Sequence, residues 1–173
     1  MFQSELKIPK SRVAVLIGKK GVTKRHIQKF TGTSIKISKE GDVLIEGEDN
    51  LHVFITSNIV KAIGRGFNPE LAMSLLKDDI GMEIINITDF SGKSKTNLER
   101  ARARLIGTEG RAWKNFERLS ACHLAVQGKT VSIIGHVEAL HNVKTAIERL
   151  LSGAKHGNVY TFMEKANRRK KFD

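Results

Sequence analysis

One long internal repeat constrains the fold of this chain more than any other sequence feature. The segment Val15-Leu16-Ile17-Gly18-Lys19-Lys20-Gly21 recurs 89 positions later as Arg104-Leu105-Ile106-Gly107-Thr108-Glu109-Gly110. The same offset pairs further apolar positions: Ala14 with Ala103, Ile27 with Phe116, Phe30 with Leu119, Ile35 with Leu124 and Ile37 with Val126. A repeat of this length is a whole domain rather than a solenoid unit. We therefore expect two tandem copies of one small domain.

Both copies predict the element order β-α-α-β-β-α from their apolar spacing and their turn residues. The first copy predicts a strand at 6–9, a helix from the N-cap Ser11 to Ile17, a helix from 22 that Gly32 ends, strands at 34–38 and 43–45, and a helix at 51–63. The second copy predicts a strand at 82–87, helices at 97–106 and 111–120, strands at 123–127 and 130–134, and a helix at 137–151. The predicted fold class is α+β, with each three-stranded antiparallel sheet packed on three helices.

The repeat also predicts the domain boundaries. The two domains are expected over residues 1–66 and 82–155. A linker helix is expected over 67–81, and a basic helix or tail over 156–173.

Composition narrows the function. The 173 residues include 30 Lys and Arg against 18 Asp and Glu, so the net charge is +12, while 40% of the residues are hydrophobic. A basic chain that can still build a core is typical of a protein that binds a polyanion, above all nucleic acid.

Several other classes are excluded or disfavoured. No apolar run is long enough to span a bilayer, and residues 1–10 contain no apolar signal segment. Cys122 is the single cysteine, which excludes an internal disulfide and a cysteine-based zinc site. We expect a cytoplasmic monomer with no membrane partner.

The two Gly-x-x-Gly segments predict a phosphate clamp. Glycines in a tight turn let the backbone approach a ligand, and the N-terminus of the following helix adds peptide N–H groups and a favourable dipole. Lys19 and Lys20 place positive charge in the first turn, and Lys24 and Arg25 follow one helical turn later. Such a clamp suits the sugar-phosphate chain of a nucleic acid.

An apolar strip is expected beside the clamp. Ala14, Ile17, Ile35 and Ile37 can wall a shallow groove in which a few unpaired bases rest, whereas a duplex would not fit. The candidate RNA-binding residues of the first copy are Ala14, Ile17, Gly18, Lys19, Lys20, Gly21, Lys24, Arg25 and Lys36. Those of the second copy are Arg102, Arg104, Gly107, Thr108, Glu109, Gly110, Arg111 and Lys114. No catalytic residue, metal ligand or cofactor is predicted.

The residues from Val15 to Gly21, followed by Ile27, Thr31-Gly32 and Ile35-Lys36-Ile37, resemble the signature of the KH domain, and the element order is similar to its type I arrangement. Two such units plus a basic tail resemble the Pno/Krr group of ribosome-assembly KH proteins, especially the archaeal versions. The second unit with Gly157-Asn158-Val159 carries most of that likeness.

The resemblance implies a non-enzymatic protein that binds single-stranded small-subunit ribosomal RNA near its 3′ end during rRNA processing. It implies the rRNA dimethyltransferase, the 3′-end endonuclease and other assembly factors as partners. In eukaryotic relatives the first unit tends to lack the Gly-x-x-Gly loop, which is complete here. Relatives also carry an acidic residue where this chain has Glu109, so that residue does not indicate a loss of binding.

Two alternatives stay open from the residues alone. One KH unit can bind protein instead of RNA, which would make the chain an interaction scaffold. Glu46, Glu48 and Asp49 cluster at a strand end and can hold Mg²⁺ in a nucleic-acid enzyme, although such a cluster is more typical of a solvated turn. Gly92-Lys93-Ser94 resembles the end of a phosphate loop but has Ile87 where the first glycine is required.

Overall fold

The computed structural model describes the backbone of residues 1–172 and the side chains of residues 1–169. It divides into two compact units between Asp78 and Asp79. Each unit holds one three-stranded antiparallel sheet and several helices, so the predicted α+β fold class is confirmed. No helix among the described residues is both long enough and apolar enough to cross a membrane.

Unit 1 follows the predicted order of elements, with one short helix added at its end. Its sheet has the strand order β1-β3-β2, so β2 is an edge strand. The elements are β1 (Phe2–Lys7), α1 (Lys10–Ile17), α2 (Val22–Thr31), β2 (Ser34–Ile37), β3 (Asp42–Gly47), α3 (Asn50–Gly64) and α4 (Pro69–Met73).

Unit 2 repeats this topology with the strand order β4-β6-β5. Its elements are β4 (Ile80–Asn86), α5 (Thr88–Ser91), α6 (Lys95–Ile106), α7 (Arg111–Ser120), β5 (His123–Gln127), β6 (Thr130–His136), α8 (Val137–Leu151) and α9 (His156–Phe172). The predicted basic C-terminal helix is α9, while Asp173 lies outside the described residues. The four-residue helix α5 was not predicted.

Two predicted boundaries in unit 1 were wrong. Strand β1 begins at Phe2 rather than at Leu6, because it pairs along the whole of β3 in the register Phe2 to Gly47. Helix α1 begins at Lys10 directly after Pro9, whose extended backbone (φ −59°, ψ 142°) serves as the N-cap in place of Ser11.

The linker helix expected over 67–81 is present in part, as α4, but the segment does not form a separate connector. Phe67, Ala72 and Leu75 are buried, and the segment up to Asp78 packs with unit 1. From Ile80 onwards the chain is already strand β4. Apolar residues that can complete a neighbouring core fold onto it, and the sequence alone did not reveal which core they complete.

Helix ends position the loops of both units. Asp49 caps α3 by accepting hydrogen bonds from the N–H groups of Leu51 and His52. Gly32 ends α2 in the left-handed conformation (φ 67°), as the sequence predicted, and Ala121 (φ 55°) ends α7 in the same way. The chain can therefore turn sharply from the second helix of each unit into its edge strand.

Candidate nucleic-acid interface

The two Gly-x-x-Gly loops have nearly the same backbone conformation. In the first loop, Gly18–Gly21, the φ angles of Gly18, Lys20 and Gly21 are 75°, 54° and 75°. In the second loop, Gly107–Gly110, the corresponding angles are 74°, 55° and 72°. Lys20 and Glu109 are two of only three non-glycine residues with positive φ among the described residues. Such strain, repeated at equivalent places, is typical of a functional turn.

The two glycines of each loop have different roles. A Cβ on Gly18 would lie 2.8 Å from the backbone nitrogen of Thr23, and one on Gly107 would lie 2.8 Å from that of Ala112. The first glycine therefore lets the second helix pack closely, rather than admitting a ligand. A Cβ on Gly21 would lie 4.0 Å from Nη1 of Arg25, and one on Gly110 would meet nothing within 4 Å. The second glycine of each loop is thus the one with free space around it.

Each loop leads directly into a helix N-terminus. Gly21 and Gly110 are the N-cap residues of α2 and α7, and no side chain caps either helix. The first N–H group of each helix is already bonded within the loop, because Val22 donates to the Lys19 carbonyl and Arg111 donates to the Thr108 carbonyl. The positive end of the helix dipole still favours an anion at this place. Lys19 and Lys20 are both exposed in the first loop, which adds two positive charges beside it.

The second loop is less basic than the first. Thr108 and Glu109 are exposed, and the Glu109 carboxylate lies 3.6 Å from a guanidinium nitrogen of Arg111. Both side chains of this pair are 76% exposed, so the attraction is weak and the pair can open when a phosphate approaches. Arg111 and Lys114 are the exposed cations that follow the loop on α7.

An open strand edge lies next to the second helix in each unit. The Ile35 N–H of β2 points away from β3 and donates to Oε1 of Gln28 at 2.8 Å. In unit 2 the Leu124 N–H donates to Oε2 of Glu117 at 3.3 Å. Because backbone groups alternate along an antiparallel edge, Ile37 and Val126 present theirs to the same open edge. An unpaired base can form hydrogen bonds with such an edge.

The apolar strip differs in part from its prediction. Ala14 is exposed and Ile17 is half-buried, so both can contact a base. Ile35, by contrast, is only 1% exposed, and its side chain belongs to the core of unit 1. Ala103 and Ile106 (42% exposed) occupy the equivalent positions in unit 2 and were not among the predicted residues. The 89-residue offset alone would have identified them.

The remaining predicted cations of unit 1 lie on α2 and β2. Lys24 is half-buried and Arg25 is exposed one turn after the first loop. The Lys36 ammonium lies 3.4 Å from a carboxylate oxygen of Glu46 on the neighbouring strand, with 67% of its side chain exposed. These positions leave all three side chains within reach of solvent, and their contact with RNA stays a prediction.

Arg104 has a structural task that the sequence did not indicate. Its Nη1 donates to the Leu150 carbonyl at 2.8 Å and its Nη2 to the Ala154 carbonyl at 2.7 Å, at the C-terminal end of α8. Its own carbonyl lies 2.8 Å from Nε2 of His156 at the start of α9. A direct contact between Arg104 and RNA stays a prediction.

Arg12 does the same task in unit 1. It donates from Nε to the Ile63 carbonyl and from Nη2 to the Phe67 carbonyl, both at 2.8 Å. Burial lowers the pKa of this guanidinium, which nevertheless stays charged at neutral pH because the ordinary pKa of arginine is so high.

Arg102 reaches across to the hairpin of unit 2. Its Nη1 donates to the carbonyl of Gly128, in the turn between β5 and β6, at 3.1 Å. The side chain is half-buried and the contact lies on the surface. Arg102 therefore stays among the residues that RNA can reach.

Two of the three carboxylates considered for a Mg²⁺ site have other partners. Asp49 caps α3, and Glu46 accepts a hydrogen bond from Gln3 at 3.0 Å besides facing Lys36. Within the described residues, no three His, Cys, Asp or Glu side chains are grouped closely enough to hold a metal ion.

Comparison with known proteins assigns both units. Residues 3–64 match the KH domain, and residues 81–168 match the eukaryotic type KH-domain (KH-domain type I). The KH domain-containing protein MJ0443 of Methanocaldococcus jannaschii is 43% identical over 164 residues, which cover 92% of this chain and 72% of that protein.

Solved structures resemble the whole chain. Dim2p from Pyrococcus horikoshii OT3 is 46% identical with a TM-score of 0.87, over 95% of this chain and 99% of that one. The a/eIF2alpha-aDim2p-rRNA complex from the same organism contains a chain of 46% identity with a TM-score of 0.89, over 97% of this chain and 95% of that one. APE0754 of Aeropyrum pernix, a protein of unknown function, is 31% identical with a TM-score of 0.90, over 99% and 95% of the two chains.

The matches and the geometry of the two loops agree that the chain has two units of the same type. As KH domains, the two units belong to a family of RNA-binding modules. The chain belongs to the type I KH-domain family, as a two-KH-domain protein of the ribosome-assembly group that includes archaeal Dim2p.

Proposed function

We propose that this protein binds single-stranded small-subunit ribosomal RNA near its 3′ end during rRNA processing and ribosome assembly. It acts as a cytoplasmic monomer without catalytic activity of its own, beside the dimethyltransferase and the endonuclease that act on this RNA end. The presence of rRNA in the complex of the Pyrococcus horikoshii relative supports the choice of RNA.

The observation that carries this proposal is the duplicated loop. Both units present a Gly-x-x-Gly turn of the same conformation, an uncapped helix N-terminus and an open strand edge. The turn and the helix N-terminus suit phosphates, and the strand edge suits unpaired bases. Two such sites on one chain favour a single strand of more than a few nucleotides.

A protein partner is a second proposal that one observation favours. The complex of the Pyrococcus horikoshii relative contains a/eIF2alpha besides rRNA. We propose that a protein similar to a/eIF2alpha also binds the present chain. The chain would then bind both a protein partner and RNA.

Fluorescence anisotropy with a labelled 3′-terminal fragment of small-subunit rRNA tests the RNA proposal. Lys19→Asp/Lys20→Asp and Thr108→Asp/Glu109→Asp create the same two-aspartate turn in both loops, and aspartate tolerates the positive φ of the third position. The unit 1 variant is expected to lose at least about tenfold in affinity because acidic side chains replace two cations, and the unit 2 variant is expected to lose less because it adds only one negative charge.

Lys61→Asp is the matched control, since Lys61 is an exposed lysine on α3 of unit 1. It is expected to change the affinity less than about threefold. A fragment from the 5′ end of the same rRNA should bind at least about tenfold more weakly than the 3′ fragment. Unchanged affinity in both loop variants would refute RNA clamping, and equal affinity for the two fragments would refute the 3′-end assignment.

A further inference from the structure

An open recess lies beside the second Gly-x-x-Gly loop, separate from the strand edge described above. It has a volume of about 490 Å³, a size that suits a small group such as one nucleotide. Helix α6, the loop, α7 and the first residue of α9 contribute its lining, which consists of Ala103, Arg104, Gly107, Thr108, Arg111, Ala112 and His156. We call this space the α9 recess.

The α9 recess lies on a different side of α7 from the strand edge. Glu117 of α7 accepts a hydrogen bond from the Leu124 N–H and therefore faces β5. Each residue turns a helix by about 100°, so Arg111, six positions earlier, points about 120° away from Glu117. The loop residues Gly107 and Thr108 border the recess directly. An RNA strand that follows the edge strand and then crosses the loop therefore reaches the recess.

The lining of the α9 recess is basic. The exposed Arg111 guanidinium is paired with Glu109 at 3.6 Å on the surface, an attraction that a phosphate can replace. Arg104 adds a guanidinium that the carbonyls of Leu150 and Ala154 hold in place. None of the described residues that line the recess is acidic. The recess therefore favours an anionic ligand.

His156 gives the α9 recess an oriented aromatic ring. Its Nε2 lies 2.8 Å from the Arg104 carbonyl, which can only accept, so Nε2 carries the proton of this hydrogen bond. Nδ1 is then the ring nitrogen that is left to a ligand. The ring of Tyr160 lies 6.2 Å away on the next turn of α9. An imidazole held in this way can stack on an unpaired base or form a hydrogen bond with it.

The equivalent place in unit 1 lacks all three of these basic side chains. The 89-residue offset pairs both arginines with valines, and α4 begins with a proline where α9 begins with the histidine. The space there is lined by Glu70, whose carboxylate repels an anion, besides His26. The basic recess therefore belongs to unit 2. In the order Arg104, Arg111 and His156, the corresponding residues of unit 1 are Val15, Val22 and Pro69.

The two loops differ in the opposite direction. Unit 1 has Lys19 and Lys20 in its loop, where unit 2 has Thr108 and Glu109. Positive charge thus lies in the loop of unit 1 and beside the loop of unit 2. A phosphate that Glu109 repels is attracted to the α9 recess by its arginines.

We propose that the α9 recess is an additional nucleotide-binding subsite of unit 2, which holds one nucleotide of the RNA strand beyond those at the strand edge. Arg111 binds the phosphate of this nucleotide, and the imidazole of His156 contacts its base. This inference rests on the proposed RNA binding and assigns it a further site. RNA is favoured over an acidic protein segment because the recess opens at the loop that the RNA strand crosses.

RNA strands of different length test the subsite by fluorescence anisotropy. The parent protein is the full chain with Lys19→Asp/Lys20→Asp, so that unit 2 contributes most of the remaining affinity. The 3′-terminal rRNA fragment is shortened by one nucleotide at a time from each end. Removal of the nucleotide that occupies the α9 recess is expected to lower the affinity at least about fivefold.

Arg111→Val and His156→Gln remove the two contacts separately. Valine is the residue that unit 1 has at the equivalent position, and glutamine keeps a donor for the Arg104 carbonyl. Each variant is expected to bind the unshortened fragment at least about threefold more weakly than the parent. In the double variant, the loss on shortening should fall below about twofold, because the nucleotide in the recess then has neither contact.

Arg118→Val and His141→Gln are the matched controls. Arg118 is an exposed arginine of α7 and His141 is an exposed histidine of α8, and neither lines the α9 recess. Both are expected to change the affinity less than about twofold. Thermal unfolding is followed for every variant, and Arg111→Val keeps the test decisive if His156→Gln lowers the stability, since the Arg111 side chain is exposed.

Four outcomes would overturn the subsite. A loss on shortening that is equal in the parent and the double variant would leave RNA binding by the loops intact but exclude the recess. A loss in Arg118→Val as large as that in Arg111→Val would make the effect one of total charge. Weaker binding of purified a/eIF2alpha by the double variant, with unchanged RNA affinity, would make a protein segment the occupant. No RNA binding by the wild-type chain would remove the proposed function together with the subsite.

Discussion

Gly18 and Gly21 illustrate how one short motif combines two physical requirements at the residue scale. Both have positive φ, but only Gly18 also lies against the backbone of the following helix. The motif could be recognised from the sequence because glycine is common at positive φ. The different roles of the two glycines could not be predicted, because the contact between Gly18 and Thr23 depends on how α2 packs in the folded unit.

This difference leads to a stability prediction. Gly21→Ala meets only the strain of positive φ and should cost about 1–2 kcal/mol. Gly18→Ala adds a clash with the backbone of α2 and should cost about 2–5 kcal/mol. Urea unfolding followed by circular dichroism measures both, and Gly110→Ala and Gly107→Ala repeat the comparison in unit 2. Equal losses for the two alanines of one loop would contradict the steric assignment.

At the scale of elements, the predictions succeeded where periodicity is strong. The bounds of α7, β5 and α8 agree with the prediction residue by residue, because apolar spacing and the flanking turns mark both ends. The wrong predictions have one cause in common, which is that the elements concerned depend on tertiary contacts. The early start of β1 depends on its pairing with β3, and the placement of α4 depends on the core that Ala72 and Leu75 complete.

The candidate site follows the same division. The loops and their cations were predictable from local residues, as was the repeat that contains them. The edge contacts of Gln28 and Glu117 were not, because a strand edge exists only after the sheet order is known. Arg104 was predicted as an RNA residue for its position near the loop, while its carbonyl partners at Leu150 and Ala154 are remote in sequence.

The helix end that Arg104 holds gives a second prediction. Arg104→Lys keeps the positive charge but cannot bridge two carbonyls, so it should destabilise unit 2 by about 1–3 kcal/mol. The midpoint of thermal unfolding should fall while RNA affinity at fixed salt stays within about twofold. Arg102→Lys is the control, since its single contact to Gly128 lies on the surface. A variant with unchanged stability and weakened RNA binding would make Arg104 an RNA residue instead.

Under the proposed function, an RNA strand that is held by both clamps makes its second contact intramolecularly, which raises the affinity without a new contact between protein and RNA. The two loops differ in charge, with Lys19 and Lys20 in one and Thr108 and Glu109 in the other. The first loop should therefore contribute more of the electrostatic share of binding.

The salt dependence of binding checks this asymmetry. For a single strand, log affinity falls with log salt concentration, and each lost phosphate contact reduces the steepness of this fall by about 0.7. Lys19→Ala/Lys20→Ala should therefore reduce the steepness by about 1.4, whereas Thr108→Ala/Glu109→Ala should leave it the same or increase it slightly. Titrations of the rRNA fragment at several potassium chloride concentrations measure the slope. An equal decrease in steepness for both variants would contradict the expected difference between the two loops.

Arg12 and Arg104, which bind carbonyls at the ends of α3 and α8, indicate how the two copies diverged. Counted from the first glycine of each loop, Arg12 stands six residues upstream and Arg104 only three, yet both bind carbonyls at matching places. An alignment of the two copies pairs neither arginine with another arginine, so it would not show that both have the same role. What duplication preserved is the need of two carbonyl groups for a donor, and evolution has met that need from two different turns of the same helix.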